Sequence, residues 1–370
     1  MSRVAVLKGG RSFERQVSLR SGARVEDALE RLGHDVLGID VGADLVPRLR
    51  GAAPDVAFLA LHGPDGEDGT VQELLEVMGI PYTGSRVSAC VRSADKVLAK
   101  HELRDAGVPT PDFVAFTQTA FRELGAADAL PAIEERLAFP IVVKPAGQGS
   151  ALGVKVARTA ADVPGALVAA FSYDEKVLLE RHVPGRDLAV SVLDGEALPV
   201  VEAIPREEDF YDFEARYVIG HTEFRCPAEL PGDAAARAGD LALRTWTTLG
   251  LAGVARVDLM LDAETGELWV LEANTIPGLT ETSLLPMAAE ATERAQEIAL
   301  EVWRLFGCAG FARVDLMLEG DTDELYVLET NSIPGLTETS LLPQAAEAAG
   351  IEFDELIDRI LETALARAAA

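Results

Sequence analysis

The sequence predicts a chain of mixed architecture, an N-terminal parallel α/β unit followed by antiparallel α+β units, and three observations carry that prediction. Over residues 1–92 short apolar runs alternate with helix-like stretches, the pattern of a parallel sheet with helical crossovers. From residue 93 onward apolar runs are joined by glycine-rich and proline-glycine turns, the signature of hairpins. Near the C-terminus residues 241–291 align without gaps onto 298–348 at an offset of 57, identical at 35 of 51 positions. Two copies are too few for a solenoid, so the expectation is a local tandem duplication that adds an αβ segment. At roughly 100–200 residues per domain, 370 residues make two or three domains.

Taken in order, RVAVL (3–7) reads as a buried strand that ends in Gly9-Gly10, and Ser18 to Leu32 as a helix. HDVLGID and PDVAFLALHG repeat the strand signal, DGTVQELLEVMG the helix signal, and PYTG closes the first unit, placed at 1–92. A second unit, 93–180, opens with the helical SADKVLAKHELRDAG, which Val108-Pro109-Thr110-Pro111 breaks. LAFPIVVKPAGQGSALGVKVA then reads as strand, glycine-rich loop and strand. KVLLERHVPGRDLAVSVLDGEALPVV (176–201), across the boundary with the third unit, 181–370, reads as further antiparallel strands turning at Pro184-Gly185 and Asp194-Gly195, and the third unit contains both repeated segments. Ahead of both repeats EEDFYDFEARYVIGHTEF (207–224) mixes aromatic and charged residues without a clean period, as expected of a mobile lid.

Composition narrows the function classes. With 48% apolar and 25% charged residues the chain is neither disordered nor collagen-like. Its formal charge of −28 repels phosphodiester backbones and anionic lipid, so nucleic acid and membrane are not expected as partners. Any anionic ligand must be held by local donors or a metal. Cys90, Cys226 and Cys308 form neither a zinc spacing nor an even disulfide set, which fits a reducing cytosol. The N-terminus lacks a signal-like apolar core and no run approaches 18 apolar residues, so a cytoplasmic location is expected. Only six of the 33 basic residues are lysine (Lys8, Lys96, Lys100, Lys144, Lys155 and Lys176), so a lysine inside a motif carries more information than usual.

Two motifs carry chemistry. Asp258 lies in one strand of the repeated segment, and Glu272 and Asn274 share a face of the next, because alternate strand residues point the same way. If the strands pair, three oxygen donors converge in a manner suited to Mg²⁺ bound together with phosphates; a solvated acidic face is the plain alternative. Upstream, Lys144-Pro145-Ala146-Gly147-Gln148-Gly149-Ser150-Ala151-Leu152-Gly153 follows the strand PIVV, and its glycines let successive amides approach phosphate oxygens. No GK[ST] closes it, so it is not a Walker A loop, and an ordinary hairpin turn is the bland reading. Lysines, a glycine-rich loop and metal carboxylates together are the parts of a phosphoryl-transfer site.

In this order, GGRSFERQVSLRSG, LHGPDGEDGTVQELLEVMGIPYTGS, ADKVLAK, FPIVVKP with GQGSALGV, LLERHVPGRD, FYDFEARY, ARVDLML and LEANTIPGLTETSLLP resemble the D-alanine:D-alanine ligases of the ATP-grasp superfamily, over nearly the whole chain apart from 57 extra residues. The resemblance implies a pre-ATP-grasp domain, a two-part ATP-grasp fold, a homodimer, and ATP with one or two Mg²⁺ ions, Mn²⁺ being the alternative metal. It also implies a reaction in which D-alanine is activated as an acyl phosphate and the amine of a second D-alanine displaces phosphate. Lys96 and Lys144 match the family's nucleotide-phosphate lysines. Glu180, Arg181 and Val183 match the adenine hinge, and Asp187 a ribose contact. Arg181 departs from the lysine of many members, and Ala151 from a serine of some. Glu14, Ser150 and Tyr217 match residues that bond across the two amino-acid sites. Arg256 and the Gly278 amide match an oxyanion-stabilising pair, Arg216 and Ser283 hold the second carboxylate, and His62 lies beside the first site, where a structural role is the alternative. Two other outcomes stay open: another ligase, of a different amino acid or of D-alanine with D-lactate, and, from a different class, a nucleotide-binding or regulatory paralogue without turnover.

Both repeated segments hold the same set, Arg256, Asp258, Glu272, Asn274, Gly278 and Ser283 against Arg313, Asp315, Glu329, Asn331, Gly335 and Ser340. One pair of lysines can serve only one of them. The first follows CPAEL at the family's spacing and is expected in the active site, although the second keeps the family-like tail AAGIEFDELIDRILETALA; the second is expected as an added αβ layer packed alongside or exchanged with a neighbouring subunit.

Overall fold

The computed structural model describes residues 1–205, 222–280, 283–305, 313–319 and 324–331, together with 355, 357 and 359. The chain divides into two compact units, Met1–Ala289 and Glu290–Ala370.

The first unit opens with β1 (Arg3–Lys8), α1 (Arg15–Arg31), β2 (Asp35–Asp40), α2 (Leu45–Ala52), β3 (Val56–Leu59), α3 (Thr70–Met78) and α4 (Val87–Ala94). The strands form a parallel sheet in the order β2-β1-β3. Their carboxyl ends carry the loops that hold Glu14 and His62, the edge where open α/β sheets place ligands. The sequence suggests a helix from Ser18, but α1 begins three residues earlier, with Glu14 at its N-cap. Periodicity hides this start because the buried face is polar. Ser18 Oγ accepts from the Gly9 amide at 2.8 Å and donates to the Ala60 carbonyl at 2.7 Å. Gly22 lies against Lys8, where a Cβ would stand 2.5 Å from the lysine side chain, so helix and strand can pack this closely only at glycine.

Next come α5 (Lys96–Asp105), β4 (Phe113–Thr117), α6 (Gln118–Glu123), α7 (Leu130–Leu137), β5 (Ile141–Pro145), β6 (Lys155–Ala157), α8 (Val163–Phe171) and β7 (Lys176–Arg181). Asp95 caps α5 by accepting from the amides of Val97 and Leu98 at 2.9 and 3.2 Å, which settles two of the orphan donors at a helix start. The four strands pair antiparallel in the order β4-β7-β5-β6. Leu137, Ile141, Val143, Leu167, Ala170, Val177 and Leu179 make the core beneath them. The hairpin read from the sequence is present: β5 and β6 pair across the glycine-rich loop.

Beyond it lie β8 (Gly185–Leu193), β9 (Glu196–Ala197), β10 (Val201–Pro205), β11 (Thr222–Arg225), α9 (Ala234–Leu249), β12 (Val254–Asp262), β13 (Leu268–Asn274) and α10 (Leu284–Leu305). Their sheet runs β11-β10-β8-β12-β13, with β9 paired to β8 through the turn at Asp194 and Gly195. Both turn residues have positive φ, +49° and +88°, as a tight hairpin demands. The Pro184-Gly185 turn does something else. It carries the chain out of the four-stranded sheet, where β7 ends, into this second sheet, where β8 begins. A Cβ on Gly185 would sit 1.9 Å from the Leu261 carbonyl, so β8 enters against β12 only because the residue is glycine. The core of this sheet joins Val190, Val192, Val257, Leu259 and Val270 to Ala238, Leu241, Ala242 and Leu249 of α9.

The second unit contains most of α10, from Glu290 onward, then β14 (Arg313–Glu319) and β15 (Glu324–Asn331), an antiparallel two-stranded sheet. Among the described residues no helix is long and apolar enough to cross a membrane.

Candidate active site

Within the first unit the residues singled out from the sequence gather around two cavities. The larger, about 810 Å³, is lined by Lys96, Lys144, Glu180, Arg181, Val183, Asp187, Asp258 and Glu272, with Met260, Leu188 and Leu271 as apolar wall. The smaller, about 50 Å³, is lined by Glu14, His62, Ser150, Arg256, Asn274, Gly278 and Ser283. A third cavity, about 700 Å³, shares Lys96, Gln148 and Glu272 with the first, and Gly149 and Asn274 with the second.

The local causes are traceable. Lys144 and Glu180 face each other because β5 and β7 are neighbours paired at Val142↔Glu180 and Lys144↔Leu178. The Lys144 ammonium lies 2.5 Å from Glu180 Oε1, and Lys100 lies 2.9 Å from Oε2. Burial works against the Glu180 charge, yet the two ammonium groups outweigh it and hold the carboxyl below its ordinary value. Both Glu180 oxygens are thus engaged by lysines. Arg181 turns its guanidinium onto the Trp269 ring, 4.6 Å from the centroid, a cation–π contact.

The acidic trio converges as strand pairing requires, with Asp258 opposite Glu272 and Arg256 opposite Asn274, and a register shift after Asp258. Arg256 holds Asp258 through two hydrogen bonds, 2.6 and 2.8 Å, and Asn274 Nδ2 lies 3.3 Å from Asp258 Oδ2. Glu272 meets Lys96 at 3.1 Å, and Lys96 also donates to the Gln148 carbonyl at 2.7 Å. Two carboxylates thus stand opposite each other on the wall of the cavity that holds the lysines, the hard oxygen donors a divalent cation takes, with Asp258 engaged here by Arg256 and Glu272 by Lys96.

Around the smaller cavity Ser150 donates to Glu14, and Ser150 and Ala151 hold φ of +52° and +55°. Such backbone conformations cost on the order of 1 kcal/mol or more apiece and persist where surroundings enforce them. Burial, aided by the Glu67 charge, raises the Glu14 carboxyl above its ordinary range despite Ser150, His62 and Lys96. Its Oε2 is buried without a hydrogen-bond partner among the described residues, an acceptor suited to an ammonium group. His62 is held at both ring nitrogens, by Ser21 Oγ at 3.2 Å and the Ile276 carbonyl at 3.1 Å, with Glu67 3.6 Å away. At Gly278 a Cβ would stand 2.6 Å from Ser283 Oγ, so glycine keeps this backbone open. Ser283 Oγ in turn accepts from the Thr280 amide at 3.0 Å.

Arg216 and Tyr217, with residues 207–221 of the expected lid, lie outside the described residues, as do Gly335 and Ser340, whereas the last three lid residues, Thr222 to Phe224, belong to strand β11 paired with β10. Arg313 and Asp315 fall on β14, Glu329 and Asn331 on β15, at the same register as their counterparts. Sequence reasoning missed Lys100, Lys155, Gln148 and Glu67 as members or supports of the site. The scarcity of lysine was the usable signal: Lys96, Lys144 and Lys155 line the larger cavity, Lys176 the adjoining one, and Lys100 stands behind Glu180.

A model of the D-alanine–D-alanine ligase C-terminal domain matches residues 103–293 and again 287–362, and a model of the N-terminal domain matches 47–85. The chain is 43% identical to the D-alanine–D-alanine ligase of Gloeobacter violaceus over 295 residues, 78% of this chain and 94% of that one. It is 37% identical to that of Moorella thermoacetica over 98% of this chain and 99% of the relative. The chain belongs to the D-alanine–D-alanine ligase family. As a member it is an ATP-dependent ligase. Among solved structures, the D-alanine–D-alanine ligase of Bacillus anthracis superposes with a TM-score of 0.68 at 30% identity, covering 99% of this chain and 98% of that one. The same ligase complexed with ATP gives 0.63 at 28% identity, over 99% and 98% of the two chains. The parallel sheet followed by two antiparallel sheets is the ATP-grasp arrangement of these ligases.

Proposed function

We propose that the chain joins two D-alanines into D-alanyl-D-alanine, releasing ADP and phosphate, as a cytoplasmic step of peptidoglycan synthesis. The observation that carries this reading is the bidentate contact between Arg256 and Asp258. Asp258 belongs to the wall of the large cavity and Arg256 to that of the small one, so a nucleotide in the first and an amino acid in the second would meet across one ion pair.

In this reading ATP occupies the larger cavity, its base against the 180–183 hinge, its ribose near Asp187 and its phosphates towards Lys96, Lys144 and the glycine-rich loop. Glu14 receives the ammonium of the first D-alanine, whose carboxylate attacks the γ-phosphorus as ADP leaves. The amine of the second D-alanine, with Arg216 and Ser283 on its carboxylate and Tyr217 closing over it, then attacks the acyl carbon and phosphate departs. Arg256 and the Gly278 amide would steady the oxyanion of the tetrahedral intermediate, where preorganised donors act most strongly. Asp258, Glu272 and Asn274 would hold Mg²⁺, one or two ions, which when bound neutralises phosphate charge.

The functional half-site is the first copy, since its Glu272 meets Lys96. A tandem duplication would account for the second, and the double match of the C-terminal family model supports it. Residues 1–92, 93–180 and 181–370 serve as the three functional divisions, and the assembly is a homodimer. ADP release with D-alanine alone, then with D-lactate added, tests the substrate assignment. Dipeptide as the main product with both acceptors present supports it; a dominant depsipeptide, or no ADP at saturating D-alanine, refutes it.

A further inference from the structure

Lys100 is fully buried and lines none of the cavities around the site, yet it is tied to one of them. Its ammonium meets Glu180 Oε2 at 2.9 Å and donates to Thr110 Oγ1 at 2.5 Å, with the Phe113 ring 5.7 Å away. The other oxygen of the same carboxylate receives Lys144. Lys96 and Lys100 stand four residues apart on α5, a spacing at which like charges oppose helix stability. They are accommodated because each faces a different carboxylate, Glu272 and Glu180. A buried ammonium is costly unless paired, so its presence in a chain with only six lysines calls for a purpose.

We propose that Lys100 is a positioning residue of the nucleotide grip, fixing the Glu180 carboxylate from behind and thereby setting both where the Lys144 ammonium stands and how much positive charge it offers the cavity. This inference rests on the reading of the larger cavity as the ATP site. With Lys100 present the cluster holds two ammonium groups on one carboxylate and presents a net positive wall. Without it, Lys144 and Glu180 cancel, and Lys144 can draw back onto both oxygens. Burial, opposed by Glu180, brings the Lys100 pKa down to about 8, in keeping with an ammonium whose charge is held by this one carboxylate.

The test is a double-mutant cycle on ATP affinity by calorimetry, with wild type, Lys100→Met, Lys144→Met and the double variant, folding being checked by thermal denaturation. Lys100→Met is expected to weaken ATP binding roughly tenfold in the wild-type background and less than about twofold in the Lys144→Met background. In turnover, the KM for ATP should rise while that for D-alanine stays constant. Equal weakening in both backgrounds, or none in either, overturns the inference. Should Lys100→Met fail to fold, Lys100→Gln, which keeps a donor but not the charge, takes its place with the same expected non-additivity. Because the cycle reads binding, an enzyme making another product would leave it intact, whereas absence of ATP binding in the wild type would overturn the site reading itself.

Discussion

The strand pairs β12–β13 and β14–β15 are nearly the same sequence in two settings. Each pairs antiparallel with Asp opposite Glu and Arg opposite Asn, and each shifts register directly after its aspartate, at Asp258/Leu259 and Asp315/Leu316. Local sequence therefore dictates the hairpin down to its irregularity. What differs is the surroundings. β12 is paired along its whole length with β8, and the pair is the edge of a larger sheet with α9 packed beneath. β14 and β15 form a sheet of two strands among the described residues. In the first copy the set lies beside Lys96, the glycine-rich loop and a walled cavity, and in the proposed reading it is that setting, not the hairpin itself, that makes it a site.

Metal removal should have the largest effect on the first setting. EDTA is expected to abolish measurable ATP binding, since it leaves Asp258 and Glu272 facing phosphates in a chain of charge −28. Unchanged ATP affinity by calorimetry would show that the trio is not a metal site. Lys144→Met with Mg²⁺ saturating should cost about 1.5–3 kcal/mol of ATP affinity, the range of a lost charge-assisted contact; a smaller loss would remove Lys144 from the grip.

A pH series probes the cluster behind that grip. Burial lowers Lys100 from 10.5 to about 8, so between those values the unfolded chain binds more protons than the folded one. This group's contribution to stability therefore rises with pH across that window and is flat below it. The Tm of wild type relative to Lys100→Met should accordingly improve from pH 8 towards 10, and a difference independent of pH would contradict the buried charge. The smallest effect is expected for deleting residues 292–348, which joins Ala291 to Ala349 and restores a single copy. We expect kcat/KM to stay within about a factor of three; its loss would give the second copy a part in catalysis.

Much of this arrangement is legible in the sequence where one local rule decides the outcome. The helical stretch SADKVLAKHELRDAG contains α5, and the glycine run after PIVV gives the β5–β6 hairpin. Proline-glycine at 184–185 is ambiguous because a hairpin and a passage between sheets use the same turn chemistry. The start of α1 is hidden because Ser18 and Ser21 face inward, satisfied by the Gly9 amide just after β1, the Ala60 carbonyl and His62. At the site, the lysines stand out through scarcity. The sharing of one carboxylate by Lys100 and Lys144 does not, since it depends on β5 and β7 becoming neighbours and on a helix laid behind them. Glu67 escapes notice for the same reason: its effect on Glu14 is a through-space charge.

The division of labour between the two copies is tested most directly by measuring ADP release at saturating ATP, Mg²⁺ and D-alanine for Glu272→Gln and Glu329→Gln side by side. If the first copy is the working half-site, Glu272→Gln loses turnover by at least about a hundredfold while Glu329→Gln keeps the wild-type rate. The reverse pattern, or equal loss in both variants, would contradict the assignment.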